Sequence, residues 1–216
     1  PEQLQEKLAR LKIFARKFPQ LLPDELRAEV FLDQFADDAM RVLTQESAIN
    51  RFLNRQTELI ALCHWNMNLD NAWFWKDGSG ELQVGLLDWG SVGQMNLAKA
   101  FYGMTCAAEA DFLVQHRRSL MQLFNEEYRR CGGATLDLEA FALQYKLAVA
   151  VLGIAWILDA PSLVEAEVPN LATVRDRTDP LLRDVFLARA QLQLLTVFLS
   201  EWHSQNIGAA VRGFGA

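Results

Sequence analysis

Two polar residues whose oxygens could hold a metal ion flank a predicted β-hairpin. Ala72 to Trp75 is mostly aromatic, Leu82 to Leu87 is β-prone, and Lys76 to Gly80 between them has the composition of a turn. The pattern predicts two antiparallel strands, which bring the start of the first strand beside the end of the second. We therefore expect Asn71 and Asp88 to lie close together. An amide oxygen and a carboxylate are hard ligands of the kind that Mg²⁺ prefers.

The residues around this hairpin resemble a known pair of loops. His64 to Asn71 (HWNMNLDN), followed by Leu86 to Gly90 (LLDWG), resembles the catalytic and metal-binding loops of aminoglycoside phosphotransferases and choline kinases, a branch of the protein-kinase-like fold. That family reads His-Gly-Asp, four residues, Asn, a hairpin, and then Ile-Asp-Trp or a close variant. By this resemblance Asn71 and Asp88 fall on the two positions that bind Mg²⁺, which in turn bridges the phosphates of ATP. His64 falls on the first position, where the family's histidine holds the loop in place.

Asn66 falls on the position of the family's catalytic aspartate. An Asp at that position accepts or orients the proton of the substrate hydroxyl, whereas an Asn amide has the same shape but cannot act as a base near neutral pH. Acid-base groups of this kind typically contribute about 10²–10⁴ in rate. The resemblance therefore implies weakened or absent catalysis. Asp70 is a carboxylate in the same loop, but its place beside Asn71 makes it a poor substitute for the base.

The chain departs from the family in two further places. The family usually continues with Gly-Asp-Pro and a second acidic residue, and Gly93 to Lys99 (GQMNLAK) lacks both carboxylates. The family's N-terminal lobe is a β-sheet with a phosphate-covering loop and a lysine for the nucleotide, and nothing before Cys63 resembles it. An origin as a piece of a longer protein, with this lobe upstream of Pro1, would explain its absence.

Hydrophobic periodicity predicts helices on both sides of the hairpin. In the first sixty residues it predicts one helix that ends at Pro19, a second that opens at Pro23 and a third over about 46–62, with no strand. After the hairpin we expect helices over about 97–108, 109–130 and 138–158, an irregular stretch over 162–177, and a final helix from Pro180 to about 203. Asp137 and Asp179 are the expected N-caps of two of these helices.

These elements predict a mainly helical α+β protein. The fold is expected to be the helical C-terminal lobe of a protein-kinase-like phosphotransferase with a central β-hairpin. Residues 1–62 would form a helical N-terminal segment, and residues 63–216 the kinase-like lobe. Within that lobe, residues 63–93 would carry the catalytic loop and metal-site hairpin, and residues 97–216 the helices.

Composition restricts the classes of function. The chain of 216 residues carries a formal net charge of −6, which gives nucleic-acid binding no electrostatic support. Cys63, Cys106 and Cys131 are widely spaced and form no CxxC motif, as is typical of reduced thiols in a cytoplasmic protein. The longest apolar run, Leu147 to Leu158, is too short to cross a bilayer and predicts a buried core helix rather than a membrane span.

Two other groups of side chains have a predicted position. Asp37 and Asp38 are adjacent carboxylates on a predicted helix, and we expect them on a solvated face. Trp73, Phe74 and Trp75 alternate between the two faces of a predicted strand, so at least one of them is expected in the core. Another of these aromatic side chains could line a ligand site.

Three functions are compatible with these residues. The first is an ATP- and Mg²⁺-dependent phosphotransferase of a small hydroxyl-bearing substrate, in which Asn66 occupies an impaired catalytic position. The second is a pseudokinase that binds the nucleotide and the metal through Asn71 and Asp88 without turnover. The third is a helical scaffold that inherited the fold and binds no nucleotide.

Overall fold

The N-terminal helices form where apolar residues recur at helical spacing. The computed structural model describes residues 1–215. Helix α1 (Glu2–Lys17) buries Leu4, Leu8, Leu11 and Phe14 on one face and ends before Pro19, as predicted. It is followed by the single turn α2 (Asp24–Arg27) and by α3 (Glu29–Leu53).

The predicted second and third helices are one element, and the end of the predicted third helix is a strand. No Pro or Gly interrupts Glu29–Leu53, so nothing local stops α3. Strand β1 (Ile60–His64) pairs antiparallel with β4 (Val92–Asn96), so the expectation of no strand before Cys63 is wrong. A short apolar run such as IALCH does not by itself distinguish helix from strand, and its partner strand lies far along the chain.

The predicted hairpin is confirmed. Strands β2 (Ala72–Lys76) and β3 (Leu82–Leu86) pair antiparallel, with Ala72 opposite Leu86 and Lys76 opposite Leu82. In the turn, the Asp77 carboxylate accepts hydrogen bonds from the backbone and hydroxyl of Ser79 and from the Glu81 N–H. These bonds to Ser79 lower the pKa of Asp77, because they favour its charged form.

The helices after β4 occur in the predicted order, except that the final helix expected over 180–203 is divided between Arg183 and Phe186 and is followed by one more helix. They are α4 (Leu97–Thr105), α5 (Ala110–Arg130), α6 (Leu138–Trp156), α7 (Ala160–Glu167), α8 (Pro180–Arg183), α9 (Phe186–Ser204) and α10 (Ile207–Gly213). The Asp137 carboxylate caps α6 by accepting the N–H groups of Glu139 and Ala140, and Asp179 caps α8. The stretch over 162–177 is helical as far as Glu167, because Pro161 lies in the first turn of α7, where proline is tolerated.

The mainly helical composition of the predicted fold is confirmed, whereas its likeness to a kinase lobe stays a prediction.

The described residues divide into two compact units, residues 50–148 and residues 1–49 with 149–215. In the first unit, Phe101 contacts the rings of Phe124, Phe141 and Tyr145. The second unit has its own aromatic core around Phe35. The predicted boundary between residues 62 and 63 rests on resemblance rather than on compactness, and it also stays a prediction.

Helix α6 contains most of the apolar run from Leu147 to Leu158 and ends two residues before the run does. Among residues 1–215 it alone is long and apolar enough to cross a membrane, by length and composition only. More than half of its apolar window is buried, including the continuous segment from Leu147 to Val151. A buried core helix satisfies the same criteria, so this single helix is weak evidence for a membrane span. Its burial is what the prediction of a core helix implies.

The prediction that Asp38 lies on a solvated helix face is wrong. Its side chain is buried in α3 and accepts a hydrogen bond from the Arg212 guanidinium of α10. Gly208 makes room for this carboxylate, because a Cβ atom there would lie 2.0 Å from Asp38 Oδ2. A buried carboxylate is stable only when it is paired, and its partner here is distant in the sequence.

Asn96 joins three parts of the unit that contains the hairpin. Its buried Nδ2 donates hydrogen bonds to the Leu53 carbonyl and to Gln144 Oε1, and its Oδ1 accepts the Ala98 N–H as the N-cap of α4. One side chain therefore ties the end of α3, the middle of α6 and the start of α4 together.

We expect Asn96→Ala to lower the free energy of unfolding by about 2–4 kcal/mol, the sum of a lost cap and an unsatisfied buried carbonyl. Equilibrium urea denaturation measures this loss. The control is Asn54→Ala, which removes an exposed side chain that bonds only to the Asn50 carbonyl and should cost less than about 1 kcal/mol. Similar losses in the two variants would contradict the role assigned to Asn96.

Candidate functional site

The candidate site begins where β1 ends. Strand β1 places His64 opposite Val92 of β4, and the chain then forms the loop of residues 65–71 before it enters β2. The last three residues of this loop, Leu69–Asn71, form one turn of 3₁₀ helix. The loop is therefore fixed at one end by the β1–β4 pair and at the other by the β2–β3 hairpin.

Three asparagines close this loop on itself. Asn71 Nδ2 donates to the Asn66 carbonyl oxygen at 2.8 Å, and Asn68 Nδ2 donates to Asn66 Oδ1 at 3.0 Å. Asn68 Oδ1 in turn accepts the Asp70 N–H at 3.1 Å. Sequence reasoning identified Asn66 and Asn71 but missed Asn68. An Asn two residues before a polar turn residue is the signal that could have found it, because such side chains cap turns.

Asn71 and Asp88 lie at the same end of the hairpin. The Leu87 N–H donates to the Asn71 carbonyl oxygen at 2.8 Å, which extends the strand pairing by one residue beyond Ala72 and Leu86. Asp88 therefore follows directly after the residue opposite Asn71. Since Nδ2 of Asn71 is bonded to Asn66, its Oδ1 is the atom left for another ligand. The metal-binding role of either residue stays a prediction.

Asp88 has an uncommon backbone conformation. Its φ of 54° and ψ of 56° place it in the left-handed region, and a single turn of 3₁₀ helix, Trp89–Ser91, follows. Few residues other than glycine adopt this conformation, and Asp is among those that tolerate it. The Asp88 side chain is exposed to solvent. A left-handed non-glycine residue costs on the order of 1 kcal/mol and is often found at a functional site.

His64 holds the segment before Asp88. Its Nε2 lies 2.7 Å from the Leu87 carbonyl oxygen, and its ring centroid lies 5.1 Å from that of Trp89. A carbonyl only accepts, so Nε2 carries the proton and donates it. The other ring nitrogen, Nδ1, is buried and has no hydrogen-bond partner among residues 1–215. His64 thus ties the end of β1 to the segment before Asp88, and its likeness to the family's loop-holding histidine stays a prediction.

The donors at the mouth of the hairpin fit Mg²⁺ only together with another ligand. Within residues 1–215 no group of three or more His, Cys, Asp and Glu side chains could hold a metal ion. Asn71 and Asp88 supply one amide oxygen and one carboxylate. Protein-bound Mg²⁺ usually keeps several waters and takes one or two carboxylates together with substrate phosphates. These two donors alone are therefore too few for Mg²⁺, and an ion at this place would need waters or ligand oxygens to complete its shell.

The neighbouring thiol is not suited to nucleophilic chemistry. Cys63 is buried beside His64, and burial raises the pKa of its thiol. The thiol therefore stays protonated at neutral pH, and the thiolate is the nucleophilic form. Asp70 is exposed on the 3₁₀ turn, and its possible role as a substitute base stays a prediction.

The expectation that at least one aromatic residue of β2 is in the core is wrong. Trp73, Phe74 and Trp75 expose 62%, 49% and 45% of their surface. Their sheet has two strands within the described residues, and alternation between two faces buries a side chain only where a further element covers one face.

Gly103 of α4 sets how closely this helix approaches the loop. A Cβ atom at Gly103 would lie 1.7 Å from the Trp65 carbonyl oxygen, far inside van der Waals contact.

We expect Gly103→Ala to push the loop away from α4 and to lower the free energy of unfolding by about 1–3 kcal/mol, as measured by urea denaturation. Gly78→Ala is the matched control, because a Cβ atom there has no neighbour within 4 Å. Equal stability of the two variants would show that the loop is not held against α4.

Comparisons with known proteins identify no relative. No family model, curated protein or solved structure matches this chain. The features that characterise the site are a loop closed by asparagines, a hairpin that aligns Asn71 with Leu87, and an exposed carboxylate on a left-handed residue.

Proposed function

We propose that this chain carries the metal- and nucleotide-binding part of a protein-kinase-like small-molecule phosphotransferase whose transfer step is weakened or lost. The observation that supports it most is the position of Asn71, which is hydrogen-bonded both to Asn66 and to the residue before Asp88. The residue at the catalytic position and one of the two would-be metal ligands are thus bonded to each other, and the other would-be ligand, Asp88, follows directly after Leu87, which pairs with Asn71.

In this proposal each residue has a defined task. Asn71 Oδ1 and the Asp88 carboxylate would hold Mg²⁺, which neutralises charge on the phosphates of ATP when it is bound. Asn66 would orient the hydroxyl of a small substrate through its amide without removing the proton. His64 would keep the Asp88 segment in place through the Leu87 carbonyl.

The alternative is a pseudokinase that binds ATP and Mg²⁺ without turnover. The contact that favours it is the hydrogen bond from Asn68 Nδ2 to Asn66 Oδ1, because it engages the atom that would otherwise accept a bond from the substrate hydroxyl. A helical scaffold that binds no nucleotide is the third possibility, and the experiments below distinguish the three.

We expect MgCl₂ and ATP together, but not ATP alone, to raise the melting temperature of the protein, and Asp88→Ala to abolish this rise. A ligand at a concentration of 100 times its Kd stabilises the folded state by about 2.7 kcal/mol. Thermal-shift titration of this chain, and of any longer native form, measures the effect.

The matched control for Asp88→Ala is Asp70→Ala, which removes another exposed carboxylate near the same end of the hairpin and should leave the Mg²⁺-dependent rise intact. No rise in either form of the protein would exclude both nucleotide-binding functions and leave the scaffold. Equal losses in the two variants would indicate a general effect of charge rather than a metal ligand.

We expect Asn66→Asp to create or increase phosphoryl transfer or ATP hydrolysis by about 10²-fold or more, because it restores a base of the same shape. The new carboxylate can still accept the hydrogen bond from Asn68, so the loop should keep its conformation. A coupled assay of ADP release measures the change. A variant that binds MgATP as the parent does, yet gains no activity, would favour the pseudokinase.

A further inference from the structure

The hairpin carries an exposed apolar surface that the candidate site does not use. We call it the hairpin patch, and it consists of Trp73, Phe74, Trp75, Leu82 and Val84, all of them exposed. Residues opposite each other in the strand pair share a face, so Phe74 and Val84 lie on one face and the two tryptophans on the other. Both faces of the hairpin are therefore apolar and in contact with solvent.

The patch is large for a hairpin of ten strand residues. An aromatic side chain can bury about 150–250 Å², so three that are about half exposed contribute roughly 300 Å². Leu82 and Val84 expose 68% and 58% of their surface in addition. The largest apolar patch on a typical monomer is about 300–600 Å² and is often functional.

The outer edge of β2 also has backbone groups directed away from its partner. The bonds Leu87 N–H to Asn71 and Asp77 N–H to Glu81 mark hydrogen-bonded pairs at the two ends of the hairpin. Hydrogen-bonded and non-bonded pairs alternate along an antiparallel ladder, so Ala72, Phe74 and Lys76 direct their N–H and C=O groups outward. No further strand pairs with this edge within residues 1–215.

The two outer edges differ in their side chains rather than in their free backbone groups. The Leu86 carbonyl on β3 accepts a hydrogen bond from Trp89 Nε1 at 3.0 Å, and the Ala72 N–H on β2 donates to the Leu69 carbonyl, so each edge has one occupied group. The three aromatic residues of the hairpin patch all belong to β2, so a strand added to that edge lies directly beside them. An unpaired edge with apolar side chains is a template for strand addition.

The charges around the edge determine which strand would fit. Residues 70–88 contain four carboxylates, those of Asp70, Asp77, Glu81 and Asp88, and one cation, Lys76. A second copy paired antiparallel would place the Asp77 turn beside the partner copy's Asp70 and Asp88 end, and a parallel copy would place Asp77 beside Asp77. Both arrangements bring like charges together. The acidic turn would also oppose insertion of the hairpin into a lipid layer.

We propose that the outer edge of β2 binds an extended segment of another protein as a third strand, with apolar side chains on the hairpin patch and Lys or Arg at both ends of the segment. Backbone hydrogen bonds to the Ala72 carbonyl and to the N–H and C=O groups of Phe74 and Lys76 provide the affinity, and the carboxylates at the two ends of the hairpin select the basic partner. The binding requires neither nucleotide nor metal, so it is independent of the proposed function.

Binding of a labelled peptide to the full chain tests this inference. The probe is a fluorescein-labelled peptide of sequence KKTVTVTVKK, compared with EETVTVTVEE, and the readout is fluorescence anisotropy at two salt concentrations. The lysine peptide should bind at least about tenfold more tightly than the glutamate peptide, and added salt should weaken it. The assay contains neither nucleotide nor Mg²⁺, so its outcome does not depend on that of the nucleotide experiments.

Phe74→Pro and Phe74→Val separate the backbone edge from the aromatic ring. Both remove the ring, but only proline removes the outward N–H, and proline is tolerated on an edge strand. The valine variant should keep most of the binding and the proline variant should lose about tenfold or more. Circular dichroism and urea denaturation check that both variants fold.

A second probe keeps the test valid if Phe74→Pro does not fold. The lysine peptide N-methylated at all of its threonines and valines has the same charge but cannot form the ladder through either of its edges, and it should not bind. Equal binding of the methylated and unmethylated peptides, or of the lysine and glutamate peptides, would overturn the proposal. If the chain self-associates and Phe74→Pro abolishes this, the occupant of the edge is a second copy rather than a basic strand. If the chain sediments with phosphatidylcholine vesicles and Phe74→Pro abolishes this, the occupant is a lipid surface.

Discussion

The double attachment of Asn71 is the interaction on which the geometry of the candidate site depends. Its side-chain amide donates to Asn66 within the loop, while its backbone carbonyl accepts from Leu87 across the hairpin. Fixing the backbone of each residue in an irregular loop costs about 1–2 kcal/mol of conformational entropy, so such a loop keeps one shape only when its polar groups are bonded. Through Asn71, the fixed pairing of β2 with β3 also fixes the position of the irregular loop before β2.

A second set of contacts holds the other side of the hairpin mouth. His64 donates to the Leu87 carbonyl, and Trp89 Nε1 donates to the Leu86 carbonyl, so the chain on either side of Asp88 is tied down. These bonds offset the cost of the left-handed backbone at Asp88, which would otherwise relax. A buried imidazole bonded to a carbonyl is costly to disrupt, because the group left behind has no water to replace its partner.

The same two strands serve the candidate site and the hairpin patch. An isolated two-stranded hairpin is marginally stable in water, and this one is supported at its ends by the Asn71 contacts and by the Asp77 turn. Its middle has large apolar side chains in contact with solvent, which is a surface that folded proteins usually cover. A strand added to β2 would cover part of this surface and would also order the end of the hairpin at which Asn71 lies.

Features with a local physical cause could be predicted from the order of the residues alone. The hairpin, the end of α1 before Pro19 and the caps at Asp137 and Asp179 follow from residues within a few positions of one another. Three other features depend on the folded arrangement: Ile60–His64 is a strand, Asp38 is buried, and the aromatic residues of β2 are exposed. The physical reason is the same in each case: β1 needs β4, Asp38 needs Arg212, and burial of an aromatic side chain needs a covering element. Such partners come from distant parts of the chain, and no local pattern specifies them.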